Sequence, residues 1–163
     1  MKPLSLASRL ALQITLTGAA LVALLIALSY WVLVRQLELR AQEDLSLEQD
    51  LRRALNENLL SVHYQPIVDG RSGRPVSLEA LVRWQHPQQG FISPERFVGL
   101  AEQHGFVAEL DTWVARRACA DLVGLLEEGH DLRMAVNCSA LNLSNPQMPA
   151  VVARILERTG LEP

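Results

Sequence analysis

The chain has 163 residues, 49% hydrophobic and 20% charged, with a formal net charge of −3; such a chain can form one globular domain with a sizeable core. The acidic balance and the lack of a Lys/Arg-rich stripe exclude a nucleic acid polymer as partner, because binding a phosphate backbone needs clustered positive charge. Cys119 and Cys138 form neither a C-x-x-C nor a His-paired zinc spacing, so no disulfide framework or structural zinc is implied, and buried thiols are expected.

Residues 1–9 read as a short tail. From Leu10 to Val34 the chain runs LALQITLTGAALVALLIALSYWVLV without a charge. At about 1.5 Å per helical residue that is long enough to cross a hydrocarbon layer of about 30 Å, and a transmembrane helix is predicted over 10–34. A secretory signal has a shorter apolar stretch of about 7–15 residues. Here Tyr30 and Trp31 stand where an interfacial aromatic belt belongs, followed by Arg35. Lys2 and Arg9 on one side against Arg35, Arg40, Arg52 and Arg53 on the other bias the C-terminal side toward the cytoplasm.

A juxtamembrane linker helix is expected over 35–46 and a globular part over 47–163. Leu47, Leu51, Leu55 and Leu59 recur every four residues among charged ones, an amphipathic stripe that either packs on its own domain or also meets a second copy as a homodimer. SVHYQPIVD (61–69) reads as a strand ended by Gly70, Ser72 and Gly73. VSLEALVRW (76–84) alternates: Val76, Leu78, Ala80, Val82 and Trp84 share one face, Ser77, Glu79, Leu81 and Arg83 the other. Ser93-Pro94-Glu95 predicts a helix start with a hydroxyl cap, stopping at Gly105. A longer helix is expected from about Ala108 to Gly129, a third strand at LRMAVNCS, and a last helix opened by Asn145-Pro146 and ended by Gly160. This order is the grammar of an α/β barrel or doubly wound sheet. Three strands fall short of the roughly eight that close a barrel, so the barrel is expected to be incomplete.

Glu79 and Arg83 share the one strand face that is not wholly apolar. An acid and a base there are costly unless the face opens on a ligand; the same pattern also describes a solvated face. Asn137 sits toward the C-terminal end of its strand, where barrel enzymes place functional side chains, and an asparagine at such a position also suits a turn.

Taken together, YQPIVD, SLEALVRWQHPQQGFISPERFVGLAEQHGF and AVNCSALNL, in that order and separation, resemble the opening motifs of the EAL family of cyclic di-GMP phosphodiesterases, from about Leu47 to Pro163. E-A-L alone is not specific; E-A-L-x-R-W-x-H-P followed by G-x-I-S-P-x-x-F and A-E-x-x-G-F is. The resemblance implies a TIM-like (β/α) barrel of EAL type, here preceded by one transmembrane helix, that hydrolyses cyclic di-GMP to the linear dinucleotide pGpG. It implies that Glu79 and Asn137 are metal ligands, and that Gln65, Leu81, Arg83 and Pro94 belong to the substrate site. Two Mg²⁺ or Mn²⁺ ions are implied, a role to which carboxylate and amide oxygens are suited, and Arg83 has the planar donor set that suits a phosphate. The family's remaining acids and its catalytic groups are expected beyond Pro163, none within the chain. The expectation is a phosphodiesterase held in the bacterial inner membrane by a single pass, its EAL part cytoplasmic; the alternative is a degenerate EAL domain that binds cyclic di-GMP or a protein without hydrolysis.

Overall fold

The computed structural model describes residues 6–162, without the side chains of residues 7–16. Most of the expected tail, including Lys2, lies outside the described residues, as do the Arg9 side chain and Pro163. The chain divides into two units, residues 1–45 and 46–163. Helix α1, Leu6–Asn56, runs through both. In the first unit the large apolar side chains from Leu21 to Leu33 are exposed or nearly so, and the helix is long and apolar enough to cross a membrane, with a mean hydropathy of 2.2 in its most apolar window.

The second unit begins with the last turns of α1. Leu47, Leu51, Ala54 and Leu55 of that segment are buried in its core, so the leucine stripe is filled by its own domain. Leu59 is exposed, contrary to the periodic pattern, and Leu60 takes the buried place. The reason is local: α1 ends at Asn56, Asn58 turns left-handed at φ 55°, and the Leu59 amide closes the end on the Ala54 carbonyl at 2.8 Å. Trp113 Nε1 donates to Asn58 Oδ1 at 2.9 Å and holds that bend.

Four strands follow: β1 Ser61–Val68, β2 Pro75–His86, β3 Gly90–Ile92 and β4 Arg133–Val136. β1 and β2 form an antiparallel hairpin. At its turn Asp69 Oδ1 accepts from the amides of Arg71 and Ser72 and from the Ser72 hydroxyl. These donors, the Ser72 amide foremost, lower the Asp69 carboxyl below its ordinary range. β4 lies parallel to the other edge of β2. Between β2 and β4 come helices α2 (Pro94–Gln103) and α3 (Val107–Glu127); after β4 come the short α4 (Ala140–Leu143) and α5 (Met148–Thr159). This is the expected strand, strand, helix, helix, strand, helix order with β3 and the short α4 added. β3 is three residues long, too short for a periodic signal, and it pairs back on the end of β2, where Gly90 has φ +71°.

The core between sheet and helices is built on Trp84, Phe97 and Phe106, each at most 2% exposed, with the Trp84 and Phe97 rings edge to face at 5.9 Å. His86, 4% exposed, caps the same cluster. Its Nδ1 accepts the backbone amides of Gln88 and Gln89, which leaves the ring proton on Nε2 to donate to Asp50 Oδ2 at 3.1 Å. The end of β2 is thereby tied to α1. Arg52 of α1 stacks on the Phe106 ring at 4.0 Å and pairs with Glu48.

Three local expectations are corrected. Ser93 precedes α2 in extended conformation, but its hydroxyl makes no capping bond among the described residues. The last helix starts at Met148 with Pro149 in its first turn, because Asn145 instead folds its side chain onto the Gln147 amide. Cys119 and Cys138 are free but half-buried, not buried.

Candidate functional site

Pairing fixes which side chains share a face. Tyr64 lies opposite Ala80, and Ala80 beside Val136. This row faces the helices, and the Tyr64 hydroxyl reaches Asp121 of α3 at 2.6 Å. Burial, then the bond to Asp121, raises its pKa far above the ordinary phenol value. The next row is Gln65, Glu79 and Ala135. Side chains alternate along a strand, so this row points to the opposite face, together with His63, Leu81 and Arg83.

Asn137 follows the last paired residue of β4, two positions beyond Ala135 and on the same side. Its Nδ2 donates to Glu79 Oε1 at 2.8 Å, although the two residues are 58 apart in sequence. Glu79 is half-buried and Asn137 exposed. A carboxylate and an amide thus converge at the C-terminal end of the β2–β4 ladder, with the Gln65 amide directly across from Glu79. With Nδ2 given to Glu79, Asn137 keeps Oδ1 as an acceptor. Oxygen donors of this kind fit a hard divalent cation. Among the described residues no group of three or more His, Cys, Asp or Glu side chains is placed to hold a metal.

The other predicted residues fall into two groups. Leu81, Pro94 and Asn137 line a niche of about 230 Å³, closed on the helix side by Val98, Leu110 and Val114. Arg83 lies further along the same face, opposite Ser61, and donates Nη1 to the carbonyl of Val82 at 2.9 Å. A larger groove of about 770 Å³, bordered by Trp113, Arg116, Arg154 and Arg158, contains none of the predicted site residues. It is wide and open, and the Glu79–Asn137 pair lies outside it.

Sequence reasoning missed Asp111 and Asn142. Asp111, on α3, accepts at Oδ2 from the Ser139 amide and hydroxyl, from Asn142 Nδ2 and from the Cys138 thiol. Asn142 is a polar residue only 4% exposed. The available signal was an aspartate amid the apolar spacing of α3, which reads equally well as a solvated position.

The curated cyclic di-GMP phosphodiesterase NbdA of Pseudomonas aeruginosa is 50% identical over 128 residues, covering 78% of this chain and 16% of that protein. The cyclic di-GMP phosphodiesterase PdeR of Escherichia coli K12 is 35% identical over 133 residues, covering 82% of this chain and 20% of that protein. The chain therefore spans about a fifth or less of the length of these relatives. Among solved structures, the phosphodiesterase PaMucR in complex with c-di-GMP superposes with a TM-score of 0.69 at 41% identity, over 72% of this chain and 48% of that one. The α/β fold is accordingly that of EAL domains, which are TIM-like. The family model described as EAL domain matches residues 48–163, from the buried end of α1 through α5, and on that extent of agreement the chain belongs to the EAL domain family.

Proposed function

We propose that this chain carries the first metal ligands and part of the nucleotide-binding face of a cyclic di-GMP phosphodiesterase that opens cyclic di-GMP to linear pGpG. The observation that carries the reading is the Glu79–Asn137 pair, two hard-oxygen residues distant in sequence, joined at 2.8 Å at the C-terminal end of the β2–β4 ladder. The names of NbdA, PdeR and PaMucR support the substrate class. Glu79 and Asn137 hold Mg²⁺ or Mn²⁺; two such ions, when bound, supply an activated water and stabilise the leaving oxygen. Gln65, across the ladder from Glu79, orients the nucleotide by its amide. The Arg83 guanidinium leaves the Val82 carbonyl to pair with a phosphate, and Leu81 and Pro94 form an apolar wall in the niche beside Asn137.

The exposed apolar surface of the first unit supports a single-pass anchor in the bacterial inner membrane, and the excess of Arg35, Arg40, Arg52 and Arg53 over Lys2 and Arg9 supports a cytoplasmic place for residues 47–163. The leucine stripe of α1 is already filled, so a homodimer, if formed, uses another surface.

Titration of cyclic di-GMP into the full chain in detergent, with and without Mn²⁺, tests the site. Binding should strengthen with the ion in the wild type, Glu79→Ala and Asn137→Ala should abolish that strengthening, and Gln65→Ala should weaken binding while keeping the ion response. Ion-independent binding, or an unchanged Glu79→Ala, defeats the reading. Linear product assayed in a longer EAL protein carrying this segment distinguishes an enzyme from a binding module.

A further inference from the structure

We infer that Asp111 is the positioning residue that sets Asn137 against Glu79. The inference rests on the proposal that those two residues hold a divalent ion. The β2–β4 ladder ends at the pair Ala80 and Val136, so Asn137 is one residue past strand pairing and its place depends on what holds the chain after it. That hold is one carboxylate oxygen. Asp111 Oδ2 takes the Ser139 amide at 3.0 Å, the Ser139 hydroxyl at 2.9 Å, Asn142 Nδ2 at 3.1 Å and the Cys138 thiol at 3.6 Å. The Ser139 hydroxyl, while donating to Asp111, accepts the Asn142 amide at 3.2 Å and so caps α4.

The post that carries this clamp is fixed. Leu110 and Val114, on either side of Asp111 in α3, are 2% and 5% exposed, so the carboxylate cannot follow the loop if the loop shifts. Charge-assisted bonds to a carboxylate are about twice as strong as neutral ones. Removing the carboxylate leaves buried Asn142 without that acceptor and frees residues 138–142 together. Asn137, at the head of that segment, then loses the geometry that brings its amide to Glu79. Asp111 also lines the niche beside Asn137, but toward the ion it acts through the loop, as residues behind a ligand commonly do.

The test uses the full chain in detergent and two readouts: the ¹⁵N–¹H signals of the Asn137 side-chain amide, and Mn²⁺ affinity from the electron paramagnetic resonance of the free ion. Asp111→Ala is expected to move the Asn137 amide signals to the positions of an asparagine amide bonded only to water and to weaken Mn²⁺ binding about 10–100-fold. Asp111→Asn, which keeps one acceptor oxygen, should recover most of both. Leu122→Ala, a buried site of α3 remote from the loop, should lower the melting temperature and move neither readout. Asn137 signals at their wild-type positions in Asp111→Ala overturn the inference. If Asp111→Ala does not fold, Ser139→Ala decides: a shift in the same direction supports the clamp, and unchanged signals overturn it. Glu79→Ala and Asn137→Ala report on the ion reading separately. Should both bind Mn²⁺ as the wild type does, that reading fails, while the amide signals still decide the role of Asp111.

Discussion

Replacing Glu79 by valine separates a residue kept for a ligand from one kept for the fold. The substitution removes the acceptor of the 2.8 Å bond from Asn137. A hydrogen bond to a charged group is worth about 1.5–3 kcal/mol, but Asn137 is exposed and its amide re-pairs with water, so the net loss is about 1 kcal/mol. Against this, a β-branched residue in the middle of β2 gains up to about 1 kcal/mol in strand preference, and a half-buried charge is removed from the sheet face. The two effects nearly cancel. At about 4 °C per kcal/mol for a unit of this size, the melting temperature of the Glu79→Val chain should stay within about 4 °C of the wild type. Mn²⁺ binding should nevertheless be lost. Circular dichroism melts and Mn²⁺ titration on the same samples measure both. A destabilisation of about 3–5 kcal/mol, the signature of a broken buried ion pair, would show that Glu79 serves the fold, and unaltered Mn²⁺ binding would refute the ligand role outright.

Leu51→Ala, at a fully buried leucine, should cost about 3 kcal/mol with a melting temperature that does not change with protein concentration; a concentration-dependent loss would place the stripe at a contact between copies. A reporter fused after residue 163 should be active in its cytoplasmic form, and activity of a periplasm-dependent reporter would reverse the proposed topology. Burial, then the Asp111 carboxylate, raises the Cys138 thiol above its ordinary value. Alkylation of the folded chain, followed by peptide mass mapping, should therefore accelerate only above the ordinary thiol range, and a midpoint at or below it would contradict the placement beside Asp111. The sign for stability follows: a raised thiol contributes stability that is present below the unfolded pKa and lost as pH rises through the folded one.

Much of this molecule is carried by local pattern. The apolar run of α1, the alternation that puts Ala80 and Trp84 inward and Glu79 outward, and the helix ends at Gly105, Gly129 and Gly160, all at positive φ, follow from periodicity and from the freedom of glycine at a left-handed turn. The EAL motif stretches named the family for the same reason, since their order is written along the chain. What pattern did not carry is whatever depends on a partner far away in sequence. Leu59 continued the leucine period but fell outside the core, because the end of α1 is set by the left-handed Asn58 and its bond to Trp113. β3 exists because the end of β2 offers it a ladder. The meeting of Asn137 with Glu79 across 58 residues, and the gathering of Ser139, Asn142 and Cys138 on Asp111, are decided by β4 pairing parallel to β2 and by α3 packing beside that edge. A single aspartate on a helix has the same local signature whether it faces water or clamps a loop, so only tertiary structure could distinguish the two.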